Sequence, residues 1–392
     1  MHGRRKAENQ AALLARSEAE KEAARDKVHK YKQLVALALK QRREANDQNL
    51  TVTTRKELEE ALALSAQLLR VNPDVYTLWN HRKEAIAASQ VVRHELEGAY
   101  ARETGGELEN ALPPNSFLQT ELSMIAECIQ KNPKSYGAWH HRRWLLEHAF
   151  PCTASSPSCS SATSPSQLVA TLDKEVALCA QLLDVDERNF HCWNYRRWVV
   201  SQHPGRSATD EFEFSTARIY KNFSNYSAFH HRAAYLSGHL TESGQTLNPK
   251  VFLRQELDMV QQAFFTEPDD QTSWWYHQYL ISLVLKEGGR EGGEEGGKEF
   301  VREVLEGEVE IIRGLAEEGE EERGAKGKGG GYRWAVLTLA SLLRQLASSQ
   351  GEEGEEGRGE VLRKESRGLF ERLGRMDPDH AKRYENIVVS SF

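Results

Sequence analysis

The sequence predicts an all-α fold, a right-handed α–α superhelix built as a solenoid of helical hairpins. Three observations predict it. One motif recurs five times, turn-forming residues open each copy, and the segments between copies place their leucines at helical spacing. The copies span 72–82, 132–144, 186–198, 222–232 and 267–277, and the second reads Asn132-Pro133-Lys134-Ser135-Tyr136-Gly137-Ala138-Trp139-His140-His141-Arg142-Arg143-Trp144. Measured at Trp79, Trp139, Trp193, Phe229 and Trp274, they lie 60, 54, 36 and 45 residues apart. The shortest interval is about one helical hairpin, near the ~34-residue unit of helical repeats, and the longer ones are that unit with insertions. Within a copy, Tyr136, Trp139 and Arg142 or Arg143 stand three or four apart and so share a helix face. Asn72-Pro73 and Asn132-Pro133 read as a capping residue plus a proline that ends one helix and opens the next. Each copy is therefore the start of the second helix of a hairpin.

A solenoid grows without splitting, so all 392 residues read as one helical-repeat domain. It divides into an N-terminal helical extension over 1–50, five hairpins over 51–285, and degenerate C-terminal repeats over 286–392. Along the chain, a Lys/Arg/Glu/Ala-rich segment ends in a stripe of Tyr31, Leu34, Leu37 and Leu39. Leu58 to Leu69 mark the first helix of hairpin one, whose second helix runs from Pro73 to about Gly98, ahead of a Gly/Pro loop over 103–115. The following helix pairs span 117–130 and 136–149, 168–183 and 189–201, 211–220 and 226–237, and 252–266 and 272–285. Residues 151–166, rich in Ser, Pro and Thr, read as a surface insertion without a core. The Gly/Glu tracts 287–298, 314–331 and 351–360 read as solvated inserts between helical pieces at 300–313, 332–346 and 361–375. A decayed copy of the turn closes the chain over 376–384.

Composition narrows the function. A net charge of −7 argues against nucleic acid as the main partner. No apolar run is long enough for a transmembrane segment, and no leader is visible. Cys128, Cys152, Cys159, Cys179 and Cys192 form no CxxC and leave one over, which predicts inert thiols in a reducing cytoplasm. No nucleophile elbow, HExxH, P-loop or dinucleotide fingerprint is present, so any chemistry must sit in the motif. Its tryptophans are expected to plug the seams between hairpins. Its His and Arg (His81, His141, His231, Arg82, Arg142, Arg196, Arg232) are expected to bond helix ends and acidic neighbours. The pairs His140-His141 and His230-His231 resemble metal ligands, but adjacent helix residues point about 100° apart, so no metal is expected to be held by this chain alone.

Lys134 differs. It reads as a cation in the first turn of a helix, where the dipole disfavours it. The same slot elsewhere holds Asp74, Arg188, Ser224 and Asp269. Either the lysine is simply exposed, or an anion comes to this helix start. Tyr136 adds a hydroxyl or packs in the core. His2 is either solvated or a ligand to a metal held elsewhere.

These copies, the second and third above all, resemble the repeats of the protein prenyltransferase α subunits, and the Rab geranylgeranyltransferase (type II) branch in particular. Met1-His2-Gly3-Arg4, the third copy with Phe190, and Glu267-Pro268-Asp269-Asp270-Gln271 carry the likeness to that branch. The resemblance implies a crescent wrapped around a separate β subunit that holds zinc and most of the prenyl diphosphate pocket. It implies transfer of geranylgeranyl from geranylgeranyl diphosphate to C-terminal cysteines of Rab GTPases presented by a Rab escort protein. The family's diphosphate-binding, catalytic lysine falls on Lys134 and the tyrosine beside it on Tyr136. Phe190 and His191 fall on the active-site rim, and His2 becomes a possible autoinhibitory contact to the partner's zinc. Two departures separate the chain from CaaX enzymes: Gly137 stands where those carry a carboxylate-reading glutamine, and Phe190 where they carry a tyrosine. Remaining alternatives are the α subunit of a CaaX farnesyl- or geranylgeranyltransferase and a non-catalytic TPR-like scaffold.

Overall fold

The computed structural model describes residues 18–47, 55–88, 114–150, 165–242, 248–290, 295–326, 332–349 and 356–391. Every regular element among them is helical: α1 Glu18–Asp47, α2 Arg55–Val71, α3 76–88, α4 Pro114–Lys131, α5 Tyr136–Ala149, α6 Pro165–Val185, α7 Phe190–Gln202, α8 Ala208–Lys221, α9 Tyr226–Glu242, α10 Pro249–Thr266, α11 Gln271–Arg290, α12 Glu295–Lys326, α13 Arg333–Ser349, α14 Glu356–Met376 and α15 Ala381–Ser391. A short 3₁₀ turn, Pro378–His380, precedes α15. The chain forms two compact units, 1–204 and 205–392, which meet in sequence between the third and fourth hairpins.

In the first unit, α4 packs on α5 and α6 on α7, while α2 lies against α4 and α5 against α7. First helices thus stack on first helices and second on second, giving two layers. The second unit repeats the scheme, with α8 on α9, α10 on α11, α9 against α11 and α10 against α12. The N-terminal extension is held by α1, which packs on α2 and adds Arg42, bonded through two nitrogens to Glu84 at 2.8 and 2.6 Å. Of the five hairpins expected over 51–285, the helices are present wherever residues are described, from Arg55 on. The far end of hairpin one (89–98), most of the loop at 103–115 and nearly all of the insertion at 151–166 lie outside them.

The motif builds its first four turns the same way. Asn132 Oδ1 accepts from the Lys134 N–H at 3.2 Å, and the Ser135 N–H donates to the Asn132 carbonyl at 3.1 Å. Asn72, Asp186 and Asn222 accept from Asp74, Arg188 and Ser224 in the same manner. This side-chain turn is the reason for Asn or Asp at that position. It also corrects the expected cap: Asn132 shapes the turn, and α5 begins four residues later at Tyr136 with Ser135 as its N-cap. Lys134 therefore lies in the turn, not in the helix's first turn.

The tryptophans fill the seams as expected. Trp79, Trp139, Trp193 and Trp274 are buried, and each indole N–H donates at 2.8 Å to the carbonyl six residues earlier, at Pro73, Pro133, Glu187 and Pro268. Phe229, lacking a donor, is fully buried in the equivalent place.

The arginines and histidines keep a strict register. Arg82, Arg142, Arg196 and Arg232 donate to the carbonyls of Leu62, Leu122, Val176 and Phe212, each 20 residues earlier. The residue before the arginine reaches a buried glutamate also 20 residues back, His141 to Glu121, Tyr195 to Glu175 and His231 to Glu211, and Tyr276, followed by His277 in place of arginine, reaches Glu256 at the same spacing. Glu121 also receives Arg82, Glu175 receives Arg142, and Glu256 receives Arg232, so each of these carboxylates joins its own hairpin to the one before. Removing one partner of such a buried pair costs about 3–5 kcal/mol, because the other charge is stranded.

The C-terminal third departs from expectation. The tracts 287–298 and 314–331 are not solvated inserts where they are described: α11 continues to Arg290 and α12 runs unbroken from Glu295 to Lys326. Leu315 and Ala316 are buried within the second tract. A side chain on Gly288 would collide with Val301, and one on Gly319 would come within 2.7 Å of the Tyr332 ring. These two glycines permit close helix packing; in the sequence they look like spacer residues. The tract 351–360 likewise becomes helical from Glu356.

Candidate active-site edge on the first unit

Two neighbouring helix starts bring the predicted site residues together. At α5, Ser135 has the extended backbone of an N-cap, but its side chain makes no cap bond; the Ser135 hydroxyl donates instead to the Pro73 carbonyl at 2.8 Å. The positive end of α5 thus lacks a side-chain cap and lies beside Lys134, which is exposed. Tyr136, the first residue of α5, is 70% exposed.

At α7, Asn189 caps the helix, accepting from the N–H groups of His191 and Cys192 at 3.0 and 3.3 Å. Phe190 is 49% exposed and His191 buried. The Tyr136 ring meets His191 edge-on, with centroids 4.2 Å apart and planes at 88°, and Phe190 lies 6.2 Å away. Burial lowers the proton affinity of His191, and the Lys134 ammonium lowers it further, so the imidazole is neutral at neutral pH. Lys134, Tyr136, Phe190 and His191 therefore form one edge: an exposed cation, a helix start without a side-chain cap and an aromatic flank. Such an edge suits an anionic head with an apolar tail.

Gly137 has a packing cause. A Cβ there would lie 2.7 Å from Nε1 of Trp79, whose ring is buried and tied to Pro73. His2 lies outside the described residues. Among those residues, no three His, Cys, Asp or Glu side chains group so as to hold a metal. His141 is buried against Glu121, while His140 is exposed beside Lys83, its Nδ1 2.9 Å from the ammonium. Cys128, Cys179 and Cys192 are free and buried, and burial pushes Cys128 up to about 11.

Two residues were missed in the sequence. Ser135 and Asn189 occupy the position just before each second helix, and both reach the preceding turn's carbonyl. Their shared register, three after the turn's Asn or Asp, was the available signal.

Comparison with known proteins identifies the repeat. The profile of the protein prenyltransferase alpha subunit repeat matches residues 58–89, 118–149, 172–203, 208–238 and 253–284. The chain belongs to the protein prenyltransferase α-subunit family. The second and third matches contain Lys134 with Tyr136 and Phe190 with His191. Curated relatives named geranylgeranyl transferase type-2 subunit alpha include those of Sus scrofa, 39% identical over 229 residues and 57% of this chain, and of Mus musculus, 35% identical over 284 residues and 72% of it. The Saccharomyces cerevisiae protein of that name is 32% identical over 226 residues, 57% of this chain. The matches span 34%, 42% and 58% of those relatives, so this chain corresponds to only part of each. Among solved structures, Candida albicans protein geranylgeranyltransferase-I complexed with GGPP aligns at a TM-score of 0.55 and 17% identity, covering 93% of this chain and 91% of the other, a likeness of fold. No described helix is long and apolar enough to cross a membrane.

Proposed function

We propose that this chain is the α subunit of a Rab geranylgeranyltransferase, active in the cytoplasm with a separate β subunit on Rab proteins brought by an escort protein. The observation that carries the reading is the edge where exposed Lys134 stands beside the uncapped start of α5, flanked by Tyr136, Phe190 and His191. The names of the type-2 relatives support the branch, and the lipid named with the fold neighbour supports a prenyl diphosphate as co-substrate. The zinc that the resemblance implies would be held by the β subunit.

In the reaction, a Rab cysteine thiolate forms a bond to C1 of geranylgeranyl diphosphate as the C1–O bond breaks and diphosphate departs. Negative charge accumulates on the leaving oxygens. The Lys134 ammonium and the positive end of α5 face that charge, and stabilise it more in the transition state than in the ground state. Tyr136 offers a hydroxyl to the same group, while Phe190 and His191 line the rim. Neither Gly137 nor Phe190 presents a polar side chain to a peptide terminus, consistent with delivery of the substrate by an escort.

The deciding experiment is co-expression with candidate barrel-type β subunits. Single-turnover transfer would then be measured to a Rab–escort complex and to a CaaX peptide. Transfer to Rab alone is expected. Transfer to the peptide would make this a CaaX subunit, and no transfer with any partner would make it a scaffold.

A further inference from the structure

The candidate edge is assembled from two turns: Lys134 and Tyr136 belong to one, Phe190 and His191 to the next, 54 residues further on. Their relative placement is what any shared ligand would feel. We propose that Asn189 is the positioning residue that holds the Lys134 turn against the Phe190–His191 helix start, an inference resting on the transferase reading above.

Asn189 is 2% exposed, and both ends of its amide are used. Its Oδ1 accepts from the N–H groups of His191 and Cys192, which fixes the first turn of α7. Its Nδ2 donates at 3.0 Å to the Pro133 carbonyl, the peptide group leading directly into Lys134. That carbonyl also accepts the Trp139 indole N–H at 2.8 Å, from one turn inside α5. The lysine's backbone is therefore clamped from its own helix by Trp139 and from the next hairpin by Asn189.

The neighbouring turn shows why an amide is needed. Ser135 occupies the same slot and reaches the Pro73 carbonyl, but its short hydroxyl then leaves α5 without a side-chain cap. Asparagine carries a donor and an acceptor on one planar group, so it bolts the turn and caps the helix together. A serine at 189 could make one of these two bonds but not both, as Ser135 shows by holding Pro73 and leaving its helix without a side-chain cap.

The test uses the chain assembled with its β subunit. Asn189→Gly, tolerated at N-caps, removes the bond to Pro133 and should slow single-turnover transfer by about 10–100-fold, the scale expected for a displaced catalytic group. Dimer assembly and equilibrium affinity for geranylgeranyl diphosphate should change less than about threefold. The deciding measurement is a double-mutant cycle with Lys134→Ala. If Asn189 acts through Lys134, the double variant should be no more than about twofold slower than Lys134→Ala alone. Should Asn189→Gly fail to assemble, Asn189→Asp, which keeps the cap acceptor and has no donor for Pro133, takes its place. Wild-type rates for the Asn189 variant, or an equal slowing in both backgrounds, would overturn the positioning role while leaving the transferase reading intact. A Lys134→Ala complex as fast as wild type would instead sink the reading on which it rests.

Discussion

The Trp79 indole occupies the space that a side chain at position 137 would need: a Cβ on Gly137 would sit 2.7 Å from Trp79 Nε1. Trp79 cannot step aside cheaply, because its N–H is bonded to the Pro73 carbonyl and its ring is buried in the seam. Position 137 is thus coupled to the packing of the hairpin before it. Gly137→Ala should destabilise the first unit by about 1–3 kcal/mol through overpacking, despite alanine's better helix propensity. Thermal unfolding checks this, and Trp79→Phe in the same background should recover part of the loss.

Lys134→Ala should slow single-turnover prenyl transfer by about 10–1000-fold, or ~1.4–4 kcal/mol of transition-state stabilisation. Lipid affinity should fall much less, and dimer assembly should be unchanged, since an exposed turn lysine contributes little packing. Rapid-quench kinetics beside equilibrium lipid binding separates these effects.

The glycines of α12 should respond to alanine with opposite signs. Gly307 and Gly314 have open space around them and are exposed, so Gly307→Ala and Gly314→Ala should each stabilise by roughly 0.5–1 kcal/mol. Gly319 is buried against Tyr332, so Gly319→Ala should cost about 1–3 kcal/mol. Urea unfolding of the three single variants is the measurement; equal signs at all three positions would refute the packing role of Gly319.

Acid should unfold the first unit partly through Glu121. Burial pushes its carboxyl up, but hydrogen bonds from Arg82 and His141 outweigh that and hold it at about 2, below its ordinary 4.5. Because the folded value is depressed, its contribution is fully present above about pH 4.5 and is lost as the pH falls toward 2. At 1.36 kcal/mol per unit it is worth roughly 3 kcal/mol. Burial lowers His141 below 6.5, so a separate loss begins as the pH drops under that value. The stability gap between wild type and Glu121→Gln, followed by urea unfolding at stepped pH, should therefore narrow between about pH 4.5 and 2.

Much of the fold was legible because one motif carries the turn, the seam-filling indole and the anchoring arginine within a dozen residues. The glutamates that receive those arginines were harder to see, since they lie in first helices, outside the motif. The Gly/Glu tracts misled for a definite reason. Composition registers low apolar content, whereas Gly288 and Gly319 are used for the absence of a side chain at a helix contact. The site was legible as a set of residue identities and not as an arrangement. Nothing in the spelling of Asn132-Pro133-Lys134 reveals that Ser135 abandons its own helix to bond the previous turn, leaving the start of α5 without that cap.

The constant 20-residue register also sets where the chain can change length. Within a hairpin, one added residue between Glu175 and Tyr195 would shift Arg142's partner and Arg196's carbonyl anchor together. Between hairpins no such ruler applies: Arg82 finds Glu121 across 39 residues, Arg142 finds Glu175 across 33, and Arg232 finds Glu256 across 24. Evolutionary insertions, and affinity tags or fluorescent reporters placed by an experimenter, are thus accommodated after a second helix and rejected within the hairpin's span.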